Sequence, residues 1–160
     1  MESVESYILN VNDAVITYSS TVYKIALART GNKHDADDIF QEVFLRLTKH
    51  ASKITSEEHA KWWLIRVTIN CCKTYFRFWK TKPLDVSDFN VVWMPEENDI
   101  YQSVLRLPPK YRDVIHLFYY EQLSVKEISD VLKIKEPTIK SQLSRGRNIL
   151  KDTLERRVAQ

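Results

Sequence analysis

Ser124-Val125-Lys126-Glu127-Ile128-Ser129-Asp130-Val131-Leu132-Lys133-Ile134-Lys135-Glu136-Pro137-Thr138-Ile139-Lys140-Ser141 is the stretch that decides the fold of this chain. Ser124 followed three residues later by Glu127 is a capping box, in which a hydroxyl and a carboxylate satisfy the free N–H groups at a helix start. Val125, Ile128, Val131 and Leu132 then give a short helix one buried side. A turn at Lys133-Ile134-Lys135 stops it, and Pro137 opens a last helix, where a missing N–H costs nothing. On that helix Ile139, Leu143, Gly146 and Leu150 gather on one side. Lys140, Ser141, Ser144, Arg147, Asn148 and Lys151 take the opposite arc, with Thr138 and Arg145 on its flank. A short helix, a tight turn and a second helix with a basic, hydroxyl-rich outer face form the arrangement that reads the DNA major groove. Residues 133–157 hold 8 basic against 3 acidic side chains, so phosphate attraction should supply most of the affinity. The plainer reading of the same face is a solvated basic helix.

Upstream, Leu107-Pro108-Pro109 leads into the run Tyr111–Tyr120, whose apolar positions Val114, Ile115, Leu117 and Phe118 predict another helix, with Pro109 near its first turn. Further back, residues 81–99 carry 1 basic against 5 acidic side chains and are bracketed by Pro83 and Pro95. Prolines at both ends, with Asp85, Ser87, Asp88 and Asn90 between them, oppose a continuous helix and mark a linker. Phe89, Val91, Val92 and Trp93 lie inside it, so it need not be a loose tether. Residues 1–80 carry 11 basic against 9 acidic groups, and residues 100–160 carry 12 against 7. Two small basic domains joined by an acidic linker is the expected organisation.

The N-terminal half predicts three helices. Residues 4–30 show helical apolar spacing and end at Gly31, a C-terminal cap. Asn32 caps a second helix that opens on Asp35, Asp37 and Asp38 and repeats Ile39, Phe40, Val43, Phe44 and Leu47 at spacings of three and four. A polar stretch over Lys49–Thr55 ends it, and Ser56, Glu57 and Glu58 open the third. On a wheel begun at Trp62, the broad arc from about 160° to 360° is nearly all apolar, and the arc from about 0° to 120° gathers Arg66, Lys73 and Arg77 with Asn70, Thr74 and Trp63. Cations interleaved with an amide, a hydroxyl and an indole suit phosphate contacts, base-edge hydrogen bonds and stacking on unpaired bases. A solvated basic face beside a half-buried Trp63 is the alternative. No segment alternates with period two, so the expected fold class is all-α.

Composition narrows the function further. A chain of 160 residues with only 2 glycines has no material for a GxGxxG turn or a P-loop. No GxSxG elbow surrounds any serine. The four histidines are scattered, and Cys71 and Cys72 are adjacent, a spacing that suits small core residues in a reducing compartment rather than a disulfide framework or a CxxC site. Catalytic, metal and cofactor sites are therefore not expected. No apolar run approaches the ~18 residues of a membrane span, and the acidic start Met1-Glu2-Ser3-Val4-Glu5 is unlike a signal peptide. A cytoplasmic location is expected.

Several of these segments together resemble the extracytoplasmic-function sigma factors, small promoter-specificity subunits of bacterial RNA polymerase. Asp35-Ala36-Asp37-Asp38-Ile39-Phe40-Gln41-Glu42-Val43-Phe44-Leu45-Arg46-Leu47 is similar to that family's polymerase-binding helix, and Trp63-Leu64-Ile65-Arg66-Val67-Thr68-Ile69-Asn70 to its promoter-melting helix. Leu107–Val114, Leu123–Ile128 and Thr138–Ser141 resemble the domain that reads the −35 element. Lys133 and Gln122 stand where the family commonly has glycine, Thr74 replaces a common acid and Ala60 a common aromatic.

The resemblance implies sigma domain 2 over 1–80, a linker over 81–99 and sigma domain 4 over 100–160. It implies that Asp35, Asp38, Gln41, Glu42 and Leu45 dock on the clamp helices of the largest core polymerase subunit. It assigns Lys61, Trp63, Arg66, Asn70, Lys73 and Arg77 to the melted −10 strand, with His50–Glu58 as the base-reading loop. Thr138, Lys140, Ser141, Ser144, Arg145 and Arg147 are assigned to the −35 element. Core RNA polymerase, promoter DNA and an anti-sigma factor are the expected partners. A stand-alone helix-turn-helix regulator would explain residues 100–155 but leave the acidic and basic-aromatic helices idle. A recombinase-like enzyme would need a nucleophile or metal-binding acids that the sequence does not bring together.

Overall fold

Asn32 illustrates how local chemistry sets the helix boundaries. Its side-chain carbonyl accepts the Asp35 N–H at 2.8 Å, satisfying one of the orphan donors of a helix start. One residue earlier, Gly31 sits at φ 75° with its N–H on the Leu27 carbonyl at 2.9 Å, the left-handed cap that ends the preceding helix. The computed structural model of the chain describes residues 6–78 and 99–159, and among them every regular element is helical. Helices α1 (Val11–Thr30), α2 (Lys33–His50) and α3 (Glu57–Phe78) form one unit. Helices α4 (Asp99–Leu105), α5 (Pro109–Ile115), α6 (Val125–Leu132) and α7 (Glu136–Val158) form a second. Packing divides the chain into Met1–Pro83 and Leu84–Gln160.

In the first unit the three helices all pack on one another. Val22 and Leu27 of α1, Leu47 of α2 and Leu64, Ile65 and Ile69 of α3 are essentially inaccessible. Burying each such aliphatic side chain contributes about 1.5–3 kcal/mol. A single 3₁₀ turn, Ala51–Lys53, follows α2 and delivers Ile54 into the same core. Ser56 then caps α3, its hydroxyl accepting the His59 N–H at 3.0 Å. Cys71 and Cys72 are buried free thiols, as their spacing suggested, and burial pushes the Cys71 thiol up from its ordinary value. The first helix begins later than its apolar spacing implied. Residues 6–10 are not helical, because Asn10 caps α1 by accepting the Asp13 N–H at 3.2 Å.

In the second unit α4, α5 and α6 each lie against α7. Leu105, Ile115, Leu123, Ile128 and Ile139 fill the space between them. The Ser124 hydroxyl forms the cap as read, accepting the Glu127 N–H at 3.1 Å, while the Glu127 carboxylate accepts that hydroxyl at 3.1 Å rather than a backbone N–H. Gln122 and Lys133, the positions where glycine would be expected, are the two non-glycine residues with positive φ among the described residues, at 57° and 59°. Each carries a left-handed conformation that costs about 1 kcal/mol or more for a residue with a Cβ.

Two expectations for this half are corrected. The run Tyr111–Tyr120 is not one α-helix. After Ile115 it widens into a π-helical turn over His116–Tyr120, closed by Glu121 N–H on the His116 carbonyl at 3.2 Å. The wider turn brings the rings of Tyr101, His116 and Tyr120 together, with centroids 5.0–6.2 Å apart. The stretch 81–99 is not linker to its end, since Asp99 already belongs to α4. The apolar residues Phe89, Val91, Val92 and Trp93 lie outside the described residues.

Candidate nucleic-acid interface

The second unit turns the polar residues singled out on α7 toward solvent. Ile139, Leu143 and Gly146 are buried, whereas Thr138, Lys140, Ser141, Ser144, Arg145 and Arg147 are all exposed. They do not form one cluster. Ser141 and Ser144 are central to the exposed arc, Thr138 and Arg145 lie on one flank, and Lys140 and Arg147 lie on the other. Arg147 is also engaged inside the unit: its Nη1 donates to the Tyr119 hydroxyl at 3.0 Å.

The first unit carries two further surfaces. On α3, Asn70, Lys73 and Thr74 are exposed and Trp63 and Arg66 half-buried, opposite a core side of Ala60, Leu64, Ile65, Thr68 and Ile69. Trp63 stacks on His50 with ring centroids 4.9 Å apart and planes 14° apart, which ties the start of the His50–Glu58 segment to the helix. Lys61 is brought elsewhere. It is half-buried on the side of α3 that carries Leu64 and Thr68, around the helix from Arg66 and Lys73. The backbone of Arg77 continues α3, and its side chain lies outside the described residues.

On α2, Asp38, Gln41, Glu42 and Leu45 face solvent together. Leu45 is 61% exposed and adds an apolar contact to this polar strip. Glu42 makes an i,i+4 ion pair with Arg46 at 2.8 Å, and Asp38 lies 3.8 Å from His34.

Asp35 differs from its neighbours. It is half-buried and accepts hydrogen bonds from the Tyr75 hydroxyl of α3 and from the Asn32 side-chain amide. Its carboxylate thus ties α2 to α3. The Asp37 carboxylate lies near the Tyr23 hydroxyl of α1. Burial first, and then the neighbouring carboxylates Asp35 and Asp37, push Tyr75 and Tyr23 each up to about 12 from the ordinary 10.0. The unfolded chain therefore loses these protons first. The stabilisation is complete below pH 10 and is lost as the pH rises toward 12. The melting temperature should fall over that interval, and the fall should become shallower in a Tyr23→Phe, Tyr75→Phe variant; an unchanged alkaline slope would refute the linkage.

Sequence reasoning missed one feature of the second unit, an apolar groove of about 460 Å³. Ile100, Val104, Ile115, Tyr119, Leu150 and Leu154 are among the residues that line it, with Arg147, Lys151 and Glu155 also contributing. The i,i+4 pairs Ile100/Val104 and Leu150/Leu154 were its signal. The first pair was obscured by the adjoining acidic segment. Among the described residues no group of His, Cys, Asp and Glu is arranged to hold a metal, and no helix is long and apolar enough to cross a membrane.

Comparison with known proteins agrees with this geometry. Residues 14–80 match the family model Sigma-70 region 2, and residues 97–150 match Sigma-70, region 4. The chain is 32% identical over 165 residues to the ECF RNA polymerase sigma factor SigW of Bacillus subtilis (strain 168), covering 89% of this chain and 87% of that one. It is 33% identical over 164 residues to SigM, an ECF RNA polymerase sigma factor of the same organism, covering 94% and 98%. Among solved structures, the sigma factor RpoE in complex with the anti-sigma factor NepR from Bartonella quintana has a similar fold. The TM-score is 0.76 at 17% identity, over 90% of this chain and 96% of that chain.

Proposed function

Since the chain belongs to the extracytoplasmic-function sigma factors, we propose a division of labour among its surfaces: α2 docks core RNA polymerase, α3 holds the opened −10 strand and α7 reads the −35 element. The chain is a promoter-directing subunit with no catalytic role of its own, and bond formation is left to the polymerase core. In domain terms, 1–80 would bind polymerase and the −10 element, and 100–160 the −35 element.

One observation chiefly supports this assignment. The first unit turns the acidic-apolar strip Asp38, Gln41, Glu42 and Leu45 to solvent on α2, beside a separate basic-aromatic arc on α3. A stand-alone DNA reader has no use for the strip, whereas a subunit that must hold both a protein and a single strand needs both surfaces. The opened strand is costly, because unstacking a base takes a few kcal/mol that stacking and polar contacts must offset. Trp63, propped by His50, offers the ring; Arg66 and Lys73 offer phosphate contacts, and Asn70 offers an amide for base edges. Arg77 continues the basic arc by its place in the sequence. Asp35 is assigned to the fold rather than to polymerase, and Lys61 to the margin of the strand path. On α7, Ser141 and Ser144 are placed to meet base edges, with Lys140, Arg145 and Arg147 on phosphates and Thr138 at the helix start.

The deciding experiment is capture of bacterial core RNA polymerase by the purified chain, followed by run-off transcription on fragmented genomic DNA. Stoichiometric capture with new, discrete start sites is expected. Tight DNA binding without polymerase would overturn the proposal in favour of a stand-alone regulator. An anti-sigma partner is part of the same reading, and full-rate initiation that is unaffected by any neighbouring gene would remove it.

A further inference from the structure

Arg145-Gly146-Arg147 passes directly under α5. A Cβ placed on Gly146 would lie 3.0 Å from Ile115 Cγ1 and 3.4 Å from Tyr111 Cβ, so the missing side chain is what allows this approach. The closeness has a consequence for the residue that follows the glycine. The Tyr119 hydroxyl, from the π-helical turn, accepts Arg147 Nη1 at 3.0 Å. Tyr111, near the start of α5, carries the Lys110 ammonium 4.9 Å from the centre of its ring. Residues two apart on a helix point about 200° away from each other, so the two arginines leave opposite flanks of the exposed arc that carries Ser141 and Ser144.

We propose that Tyr119 is a positioning residue that fixes the guanidinium group of Arg147 on one flank of α7, ready for a phosphate beside a DNA groove. The inference rests on the reading of α7 as the DNA-facing helix.

The chemistry of the partner decides between holding an arginine ready and withdrawing it. A carboxylate would neutralise the guanidinium and compete with phosphate. A phenol takes one of its five N–H donors and leaves the charge and the other donors for the forked contact that arginine makes with phosphate oxygens. An arginine already held in place also has less rotamer freedom to lose when it binds. Tyr119 is 48% exposed, so its hydroxyl is not needed to satisfy the interior. An arginine held on one flank would help fix the angle at which α7 enters the groove, since phosphate contacts set register while base contacts set sequence.

The test uses the full chain assembled on bacterial core polymerase, with the promoter fragment that gives the strongest run-off transcript. Tyr119→Phe should weaken promoter binding about two- to tenfold, as expected for ordering one long side chain, with no change in melting temperature. In an Arg147→Ala background Tyr119→Phe should have no further effect. A phenylalanine variant that binds like the parent overturns the inference. So does the same loss in the alanine background, or a loss that tracks a lowered melting temperature. If Arg145→Ala and Arg147→Ala are themselves without effect, the reading of α7 fails, and the inference with it.

Discussion

Reversing Asp38 and Glu42 together to arginine is expected to abolish capture of core RNA polymerase while leaving the chain folded. Both carboxylates are at least half exposed, at 67% and 50% of their side-chain area. Their intramolecular partners are i,i+4 neighbours on the same helix, worth about 0.3–0.5 kcal/mol each at a surface. Folding should therefore lose about 1 kcal/mol at most. At an interface the outcome is different. Placing cations opposite a basic partner surface costs several kcal/mol, and ~4 kcal/mol is roughly a thousandfold in Kd. Asp35→Ala is the informative contrast. It removes the acceptor of the Tyr75 hydroxyl, so it should lower stability by about 1–2 kcal/mol and leave polymerase capture intact. Titration of labelled polymerase, with thermal melting of each variant, separates the two behaviours. Undiminished capture by the Asp38, Glu42 double reversal would take this strip out of the interface.

Gly146→Leu should be the most disruptive single change in the second unit. A Cβ alone would stand 3.0 and 3.3 Å from the Cγ1 and Cδ1 atoms of Ile115, which is itself 1% exposed. The remaining three carbons of a leucine have no space unless α5 moves off α7. Such overpacking costs about 1–3 kcal/mol and occasionally more. Replacing glycine in a helix interior returns about 0.8 kcal/mol of that. At the upper end of that cost the net loss is about 2 kcal/mol, a fall of roughly 8–16 °C in the melting temperature of a unit this small. Promoter affinity should fall with it, because the same displacement takes Tyr119 away from Arg147. Polymerase capture, assigned by the proposal to α2, should persist. Gly146→Ala is the control: it asks Ile115 to give by only a few tenths of an ångström and should be close to neutral. A leucine variant that melts like the parent would mean that α5 and α7 are not in this close contact.

The features that were legible in the sequence are those set by neighbours in the chain. The caps at Asn32, Ser56 and Ser124 each act over three residues, and each forms as read. The wheel of α3 sorts its residues correctly because a long helix repeats its apolar positions enough times to average out exceptions. Gln122 and Lys133 were recognisable as left-handed positions because glycine commonly stands there in the family. What escaped the reading was non-local or too short. Helix α4 has 7 residues, too few to show a period. The π-helical turn shares its apolar spacing with an ordinary helix until the buried His116 and Tyr101 are known to face each other. Asp35 and Tyr75 are 40 residues apart, and Arg147 and Tyr119 are 28 apart. Nothing in the sequence distinguishes a carboxylate that binds polymerase from one that binds a tyrosine in the next helix.

The π-helical turn at His116–Tyr120 also bears on how this chain should be aligned with others. A turn closed from i to i+5 holds one residue more than an α-helical turn, so its presence is equivalent to a one-residue insertion inside a continuous helix. Against a homologue whose helix runs on regularly, an ungapped alignment here would pair side chains about 100° apart in direction. Every position between the insertion and the next fixed point, the Ser124 cap, would be mismatched. Roles transferred by alignment onto Phe118, Tyr119 or Tyr120 need a gap placed within the turn before they refer to equivalent atoms.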